Sequence, residues 1–452
     1  MDARTQDLLR AARADPSEGP LAAALQALRR AGQAVPDDLL AREVYPPRQV
    51  AFAGSYKVVA ERPSGVWETF GGQKLREVEL PEHRVWWVTP QPVALGAEVI
   101  EELRELRVPG LTLGRSKEAT ALVARLDGLP LRWLSLAGCA GCTDATLEAL
   151  PTCLQLAELD LRGRKVTEHG LKHLLSRAPN LVRLSLDRVR TVKDLGVLSG
   201  WPALRRLSLA GISAKALDSL PDLPQLTHLS LYEVGLTAKR LRALAPRLPA
   251  LREVSIRPSG MPTVTPAHLE ATAEFAGLHA LTFLASGCSA RDLSALSGLA
   301  QLRYLDLAPG EADTAALGEL SLRDLILRHA STSHLDVLER MPSLRRLSLL
   351  STTGGALGRL GLERVARAPQ LEWLEVANYG PPHGWLSNAA ALPDSVAIRV
   401  DAPRGPEAVL TKAPPGIVPR LHTTDYLLVP PWESPSERQS GPWAIPAPTR
   451  LA

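Results

Sequence analysis

A short pattern, L-x-x-L-x-L, recurs through the middle of the chain and constrains its fold more than any other feature. Its first apolar positions are Leu131, Leu156, Leu181, Leu204, Leu226, Leu251, Leu281, Leu302, Leu322, Leu344 and Leu371. Successive intervals are 25, 25, 23, 22, 25, 30, 21, 20, 22 and 27 residues, an average of 24. Self-similarity at such a period marks a stack of small units, none able to bury its apolar face alone. The last two apolar positions of each motif are two residues apart, so they share one side of a short strand. Around Leu184 and Leu186 the leucines then point inward and Ser185 points outward. Each strand is expected to pair in parallel with its equivalent in the next unit.

The return segments are equally regular. Thr143, Thr167, Ser213, Thr237 and Thr265 each precede a leucine by four residues: Leu147, Leu171, Leu217, Leu241 and Leu269. A Ser or Thr hydroxyl suits a helix N-cap because it accepts from an otherwise unpaired backbone N–H. Prolines at 151, 179, 221, 249, 342 and 369 stop the helices and return the chain to the next strand. Each unit therefore reads strand, turn, helix, turn. A period of about 20–29 residues with this motif is the leucine-rich repeat signature. The expected fold class is α/β: a horseshoe-shaped leucine-rich repeat solenoid with parallel strands on its concave face and helices on its convex face.

Units such as LVRLSLDRVRTVKDLGVL and LTHLSLYEVGLTAKRLRAL resemble the ribonuclease-inhibitor-like and cysteine-containing leucine-rich repeat families, over roughly residues 105–400. The Asn or Cys usual in the turn after the strand is replaced by Arg164, Val189, Ile212 and Val234, and Cys139 fits. The resemblance implies a protein-binding scaffold rather than an enzyme. A second resemblance lies in Asp7–Gln33, DLLRAARADPSEGPLAAALQALRRAGQ, which is similar to the short helical repeat-companion domain preceding such repeats in some bacterial proteins. ALQAL stands where that family carries Y-A-D-W-L.

Four segments follow. Residues 1–44 form an N-terminal helical segment broken at Asp15-Pro16 and Gly32. Residues 45–104 form a cap with strands and a helix, marked by Trp67, Trp86 and Trp87, with Val85–Val88 as a capping strand. The solenoid occupies 105–400. Val108, Leu111 and Leu113 begin it, and Val396, Ile398 and Val400 give a degenerate last strand. Residues 401–452 are a tail with 11 prolines, which excludes regular helix or central strand there.

A net charge of +4 over 452 residues is too weak to imply nucleic acid. Four cysteines are too few for a disulfide-stapled secreted protein of this size. No apolar run reaches signal-peptide or membrane-spanning length. The expectation is a cytoplasmic monomer with a protein partner, no nucleic-acid or membrane partner and no cofactor; secretion without a cleaved signal stays open.

Candidate chemistry is sparse. Cys139 and Cys142 form a C-x-x-C with Cys153 further on, but no fourth ligand or second half accompanies them. They read as a turn position and a small residue before a helix. His169 and His173 share a helix face and, with Glu168, could hold a metal. H-G-L-K-H lacks the internal Glu of the zinc protease motif, so the residues read as a solvated outer face. The glycines of Thr352–Glu363 lack the G-K-[ST] ending of a phosphate loop, and no hydrolase or kinase signature occurs. Two alternatives to a plain scaffold stand behind it: an adaptor or secreted effector in a ubiquitin-like or signalling pathway, and an enzyme with a site in the terminal caps.

Function is expected on the strand face. One outward column carries Ser135, Asp160, Ser185, Ser208, Ser230, Ser255, Ala285, Asp306, Ile326, Ser348 and Glu375. Beside it run Trp133, Glu158, Arg183, Arg206, His228, Glu253, Phe283, Tyr304, Asp324, Arg346 and Trp373. Aromatic and arginine side chains concentrate binding energy. The candidate protein-binding residues are therefore Trp133, Arg183, Arg206, His228, Phe283, Tyr304, Arg346 and Trp373.

Overall fold

The computed structural model describes residues 3–14, isolated positions near Leu28, and most of residues 47–401. The Pro-rich tail from 402, most of 15–46, and the turn residues Arg164 and Ala285 lie outside the described residues. The chain divides into two units, one running to Leu226 and one starting at Thr227.

In the first unit, strands Gly110–Thr112, Trp133–Ser135, Glu158–Arg162, Arg183–Asp187 and Arg206–Ala210 pair in parallel, in unbroken register. Strand Val85–Pro90 joins the same sheet: Val88 lies opposite Leu111 in parallel, and the strand's other edge pairs antiparallel with Tyr56–Glu61. Tyr56–Glu61 pairs in turn with Trp67–Phe70. The N-terminal strands thus continue the repeat sheet, which leaves the first repeat no bare edge.

The second unit repeats the arrangement with strands His228–Val234, Glu253–Pro258, Ala280–Phe283, Tyr304–Leu307, Asp324–Arg328, Arg346–Leu350, Trp373–Ala377 and Ala397–Asp401, all parallel. Its register corrects one repeat. Glu253 lies opposite Ala280, and Ala280 opposite Tyr304. The first apolar position of that unit is therefore Leu278, fully buried, rather than Leu281. Leu278-His-Ala-Leu281-Thr-Phe283 ends on an apolar residue where the reading three residues later ends on Ser286, and strand pairing agrees with it.

The predicted inward positions form the core. Leu134, Leu136, Leu159, Leu161, Leu184, Leu186, Leu207 and Leu209 are buried in the first unit, and Leu305, Leu307, Leu325, Leu327, Leu347 and Leu349 in the second. All five predicted N-caps occupy the residue before a helix. Thr167, Ser213 and Thr237 accept from the backbone N–H groups of His169, Ala216 and Arg240.

Not every return segment is α-helical. Gly196–Gly200, Ser294–Gly298, Ala315–Glu319 and Thr332–Arg340 are 3₁₀ helices. They fall in repeats of 20–24 residues, whereas the repeats of 25 or 27 between Leu131 and Leu181 and between Leu226 and Leu278 carry α-helices; the 22-residue repeat from Leu204 departs from this trend with α-helix Ala214–Asp218. A 3₁₀ helix rises about 2.0 Å per residue against about 1.5 Å, so it spans the return path with fewer residues.

The turn that lacks asparagine is closed another way. Val189, Ile212 and Val234 are buried. The residue before each, Arg188, Gly211 and Glu233, has a left-handed backbone with φ of 55°, 62° and 52°. That conformation reverses the chain at some cost for a non-glycine residue. The freed amides continue the ladder: Arg188 N–H donates to the Ala210 carbonyl at 2.7 Å and His329 N–H to that of Leu350 at 2.9 Å. Where a cysteine does stand in the turn, Cys139 Sγ donates to the Leu113 carbonyl at 3.1 Å. Both units are stacks of leucine-rich repeats.

Candidate functional site on the strand face

The parallel register lines up the outward side chains of each unit. In the first unit the column runs Val59, Trp87, Gly110, Trp133, Glu158, Arg183, Arg206. Gly110 decides its upper half. A Cβ built there would lie 2.6 Å from Trp87 Cβ and 3.3 Å from the Trp133 ring. Without one, the two indoles meet across the strand between them, centroids 4.8 Å apart and tilted by 37°. Val59 completes this apolar cluster. Trp87 is a residue the repeat reading missed, because it precedes the first motif; its signal was the continuous apolar run Val85–Val88.

The lower half is charged and internally paired. Arg183 meets Glu158 at 3.3 Å, and two columns over Arg162 meets Asp187 at 3.2 Å. Between those columns lie Ser135, Asp160, Ser185 and Ser208, all buried. Ser135 donates to Asp160 at 3.0 Å. Burial nevertheless pushes the Asp160 carboxyl up to about 6, against the lowering effect of hydrogen bonds from Ser135 and Ser185 and of the Arg162 charge.

The second unit's column runs His228, Glu253, Ala280, Tyr304, Asp324, Arg346, Trp373. His228 lies 3.1 Å from Glu253 and Arg346 3.7 Å from Asp324. Arg328 holds Asp306 with two bonds of 2.7 and 2.8 Å, and Ser348 donates to Glu375 at 2.8 Å. Tyr304, Ala280 and Ile326 form an apolar cluster with Leu350 against it.

The candidate residues therefore divide. Arg183, Arg206, His228, Arg346 and Trp373 stand on the strand face, partly exposed. Trp133 and Tyr304 also stand there but are largely covered, at 9% and 5% exposure. Phe283 does not belong: it lies opposite Ile256, an inward position, and is 2% exposed. Ala280 takes its place in the column, and Thr282 takes that of Ala285. The shift follows from the phase of the Leu278 repeat.

No family model matches the chain, and no curated protein matches it. Solved structures do. An internalin (inlF) from Listeria monocytogenes is 19% identical and covers 68% of this chain and 89% of that one, with a TM-score of 0.40. Internalin C2 from the same organism is 21% identical, covering 47% and 93%, with a TM-score of 0.33. A leucine-rich repeat protein from Leptospira interrogans is 15% identical, covering 68% and 74%, with a TM-score of 0.36. The strand register within each unit, rather than these likenesses, carries the fold. The fold is the leucine-rich repeat solenoid.

All four cysteines are buried and unbridged. Burial pushes Cys142 up to about 12 and Cys153 up to about 11, which keeps both thiols protonated at neutral pH and lowers their nucleophilicity. Among the described residues no helix is long and apolar enough to cross a membrane.

Proposed function

We propose that the chain is a protein-binding scaffold, without catalytic chemistry of its own, that engages its partner through the strand face. The observation that supports this reading most is the register. It places Trp133, Arg183 and Arg206 in one column of the first unit, and His228, Arg346 and Trp373 in one column of the second. Large, partly rigid aromatic and guanidinium groups on a preformed sheet lose little conformational entropy on binding. A cytoplasmic, monomeric protein with a protein ligand is the form of the proposal. The adaptor and effector readings need a further module, and nothing in the described residues favours one.

The test places a photo-crosslinking amino acid at Arg206 or Arg346, and in separate variants at Lys172 or Lys215 on the helical side. A partner that engages the strand face crosslinks through the first pair and not the second. The same partner captured equally from the helical positions would overturn the assignment of the face.

A further inference from the structure

On the helical side of the first unit, three ligand-bearing side chains converge that the strand face does not use. Helix Glu168–Arg177 carries His169 and His173, one turn apart on one face. Their rings meet edge to face, centroids 4.6 Å apart. From the preceding repeat, the end of helix Asp144–Glu148 brings Glu148, whose carboxylate lies 3.3 Å from His169 Nε2. One ligand atom from each of the three residues falls within 4.8 Å of the others.

The convergence is built into the packing. Asp144 accepts from the Thr167 backbone N–H at 2.7 Å and from its hydroxyl at 2.6 Å, which lashes the start of one helix to the cap of the next. Gly170 lets them close: a Cβ there would fall 2.3 Å from an Asp144 carboxylate oxygen. The two helices therefore hold a fixed separation, with His169 over Glu148. Glu168, the acid adjacent in sequence, is not part of the group. Its carboxylate accepts from the backbone N–H groups of Lys193 and Asp194 in the following loop.

We propose that Glu148, His169 and His173 form a binding site for a divalent late transition ion of the zinc class, joining two successive repeats. Two imidazoles and one carboxylate suit such ions better than calcium or magnesium, which prefer all-oxygen sites. Metal–ligand distances of about 2.0–2.2 Å bring ligand atoms to roughly 3–4 Å from one another. Rotation of the exposed Glu148 and His169 side chains toward the half-buried His173 would close the difference. Water fills the remaining coordination positions. The site clips neighbouring helices together from outside, independently of what the strand face binds.

The test uses the untagged full chain, kept reduced, titrated calorimetrically with zinc chloride, alongside H169A, H173A, E148Q and the same-helix control K172A. Expected is one zinc ion per chain, with affinity weakened at least about tenfold in each of the three ligand variants and unchanged in K172A. Circular dichroism confirms that the variants, altered at accessible positions, keep the fold. Cobalt substituted for zinc should give visible ligand-field bands that H173A removes. The proposal is overturned by the absence of saturable zinc uptake, by wild-type affinity in any ligand variant, or by a thiolate-to-cobalt charge-transfer band, which would place the ion on cysteines.

Discussion

Replacing Gly110 with alanine tests the first unit's strand face more sharply than any change to a large residue. The added Cβ would sit 2.6 Å from Trp87 Cβ, 3.1 Å from the Trp86 carbonyl oxygen and 3.3 Å from the Trp133 ring. Two of those neighbours are backbone or backbone-proximal atoms, so they cannot swing aside as the tip of a flexible side chain would. Overpacking of this kind costs about 1–3 kcal/mol. Prising the indoles apart forfeits part of an aromatic pair worth about 0.5–1.5 kcal/mol. Alanine recovers about 0.5–1 kcal/mol because glycine loses more conformational freedom in a strand. The net is a destabilisation of about 2 kcal/mol. With a urea slope of about 3 kcal/mol/M, the transition of this unit should fall by roughly 0.7 M, followed by tryptophan fluorescence. Near-ultraviolet circular dichroism should change as well, because the Trp87–Trp133 geometry must alter. The control is Gly298→Ala, where nothing lies within 4 Å of the added carbon. A Gly110→Ala protein as stable as the wild type, with an unchanged aromatic spectrum, would refute the packing argument.

Other perturbations separate buried from accessible roles. Phe283→Ala should cost about 3–5 kcal/mol in urea unfolding, as an inward core aromatic does, and a loss near that of an exposed residue would return Phe283 to the surface column. Arg328→Ala strips two bonds from the buried Asp306 carboxylate; because Arg328 is itself partly exposed, the expected loss is somewhat less than the roughly 3–5 kcal/mol of a fully buried pair, and Asp306→Asn in the same protein should restore part of it. Burial raises the Asp160 carboxyl from its ordinary 3.8 to about 6 in the folded state, so the native state holds the proton more tightly. Stability should therefore fall as pH rises through that window and level off above it, by roughly 2–3 kcal/mol for this group. Asp160→Asn should flatten the corresponding part of the urea-midpoint profile between pH 4 and 7, to be compared with the wild type because Asp324 is also raised by burial. An identical profile in the variant would remove Asp160 as the cause. Thr167→Ala removes an N-cap and one hydroxyl bond to Asp144 together, and should lower stability by about 1–2 kcal/mol.

The legible part of the molecule is what repetition makes redundant. Each strand leucine and each capping hydroxyl is predicted many times over, so a single irregular unit does not disturb the rest. Leu278 shows where redundancy fails. The segment LHALTFLAS offers two overlapping registers, and the one from Leu278 is the better match, because the one from Leu281 puts Ser286 at the last apolar position. Hydrogen bonding to both neighbouring strands agrees, and it moves Phe283 from the binding column to the core. Trp87 failed for the opposite reason. It stands in a strand that pairs with the repeats but does not share their motif, so periodicity carries no information about it. The Glu148–His169 pair was hidden because its members come from different repeats, while the sequence-adjacent Glu168 is turned to the next loop. The 3₁₀ segments were not legible even from interval length, since the 22-residue repeat from Leu204 carries an α-helix and the 22-residue repeat from Leu322 a 3₁₀ helix.

The paired charges of the strand face change what electrostatic recognition there can mean. Arg183, Arg162, His228, Arg346 and Arg328 each already meet a carboxylate on a neighbouring strand. A partner carboxylate that approached Arg183 would have to share it with Glu158, so the gain is a difference between two ion pairs rather than a new one. Reversing one arginine alone would then set two acids side by side and disturb the sheet as well as the interface. The swap Glu158→Arg with Arg183→Glu is the cleaner probe: it keeps the cross-strand pair and inverts the pattern presented outward. If the partner reads that pattern, binding weakens while the unfolding midpoint stays put. Binding that survives the swap would move the recognition energy to the apolar end of the column, where Trp87 and Trp133 meet over Gly110.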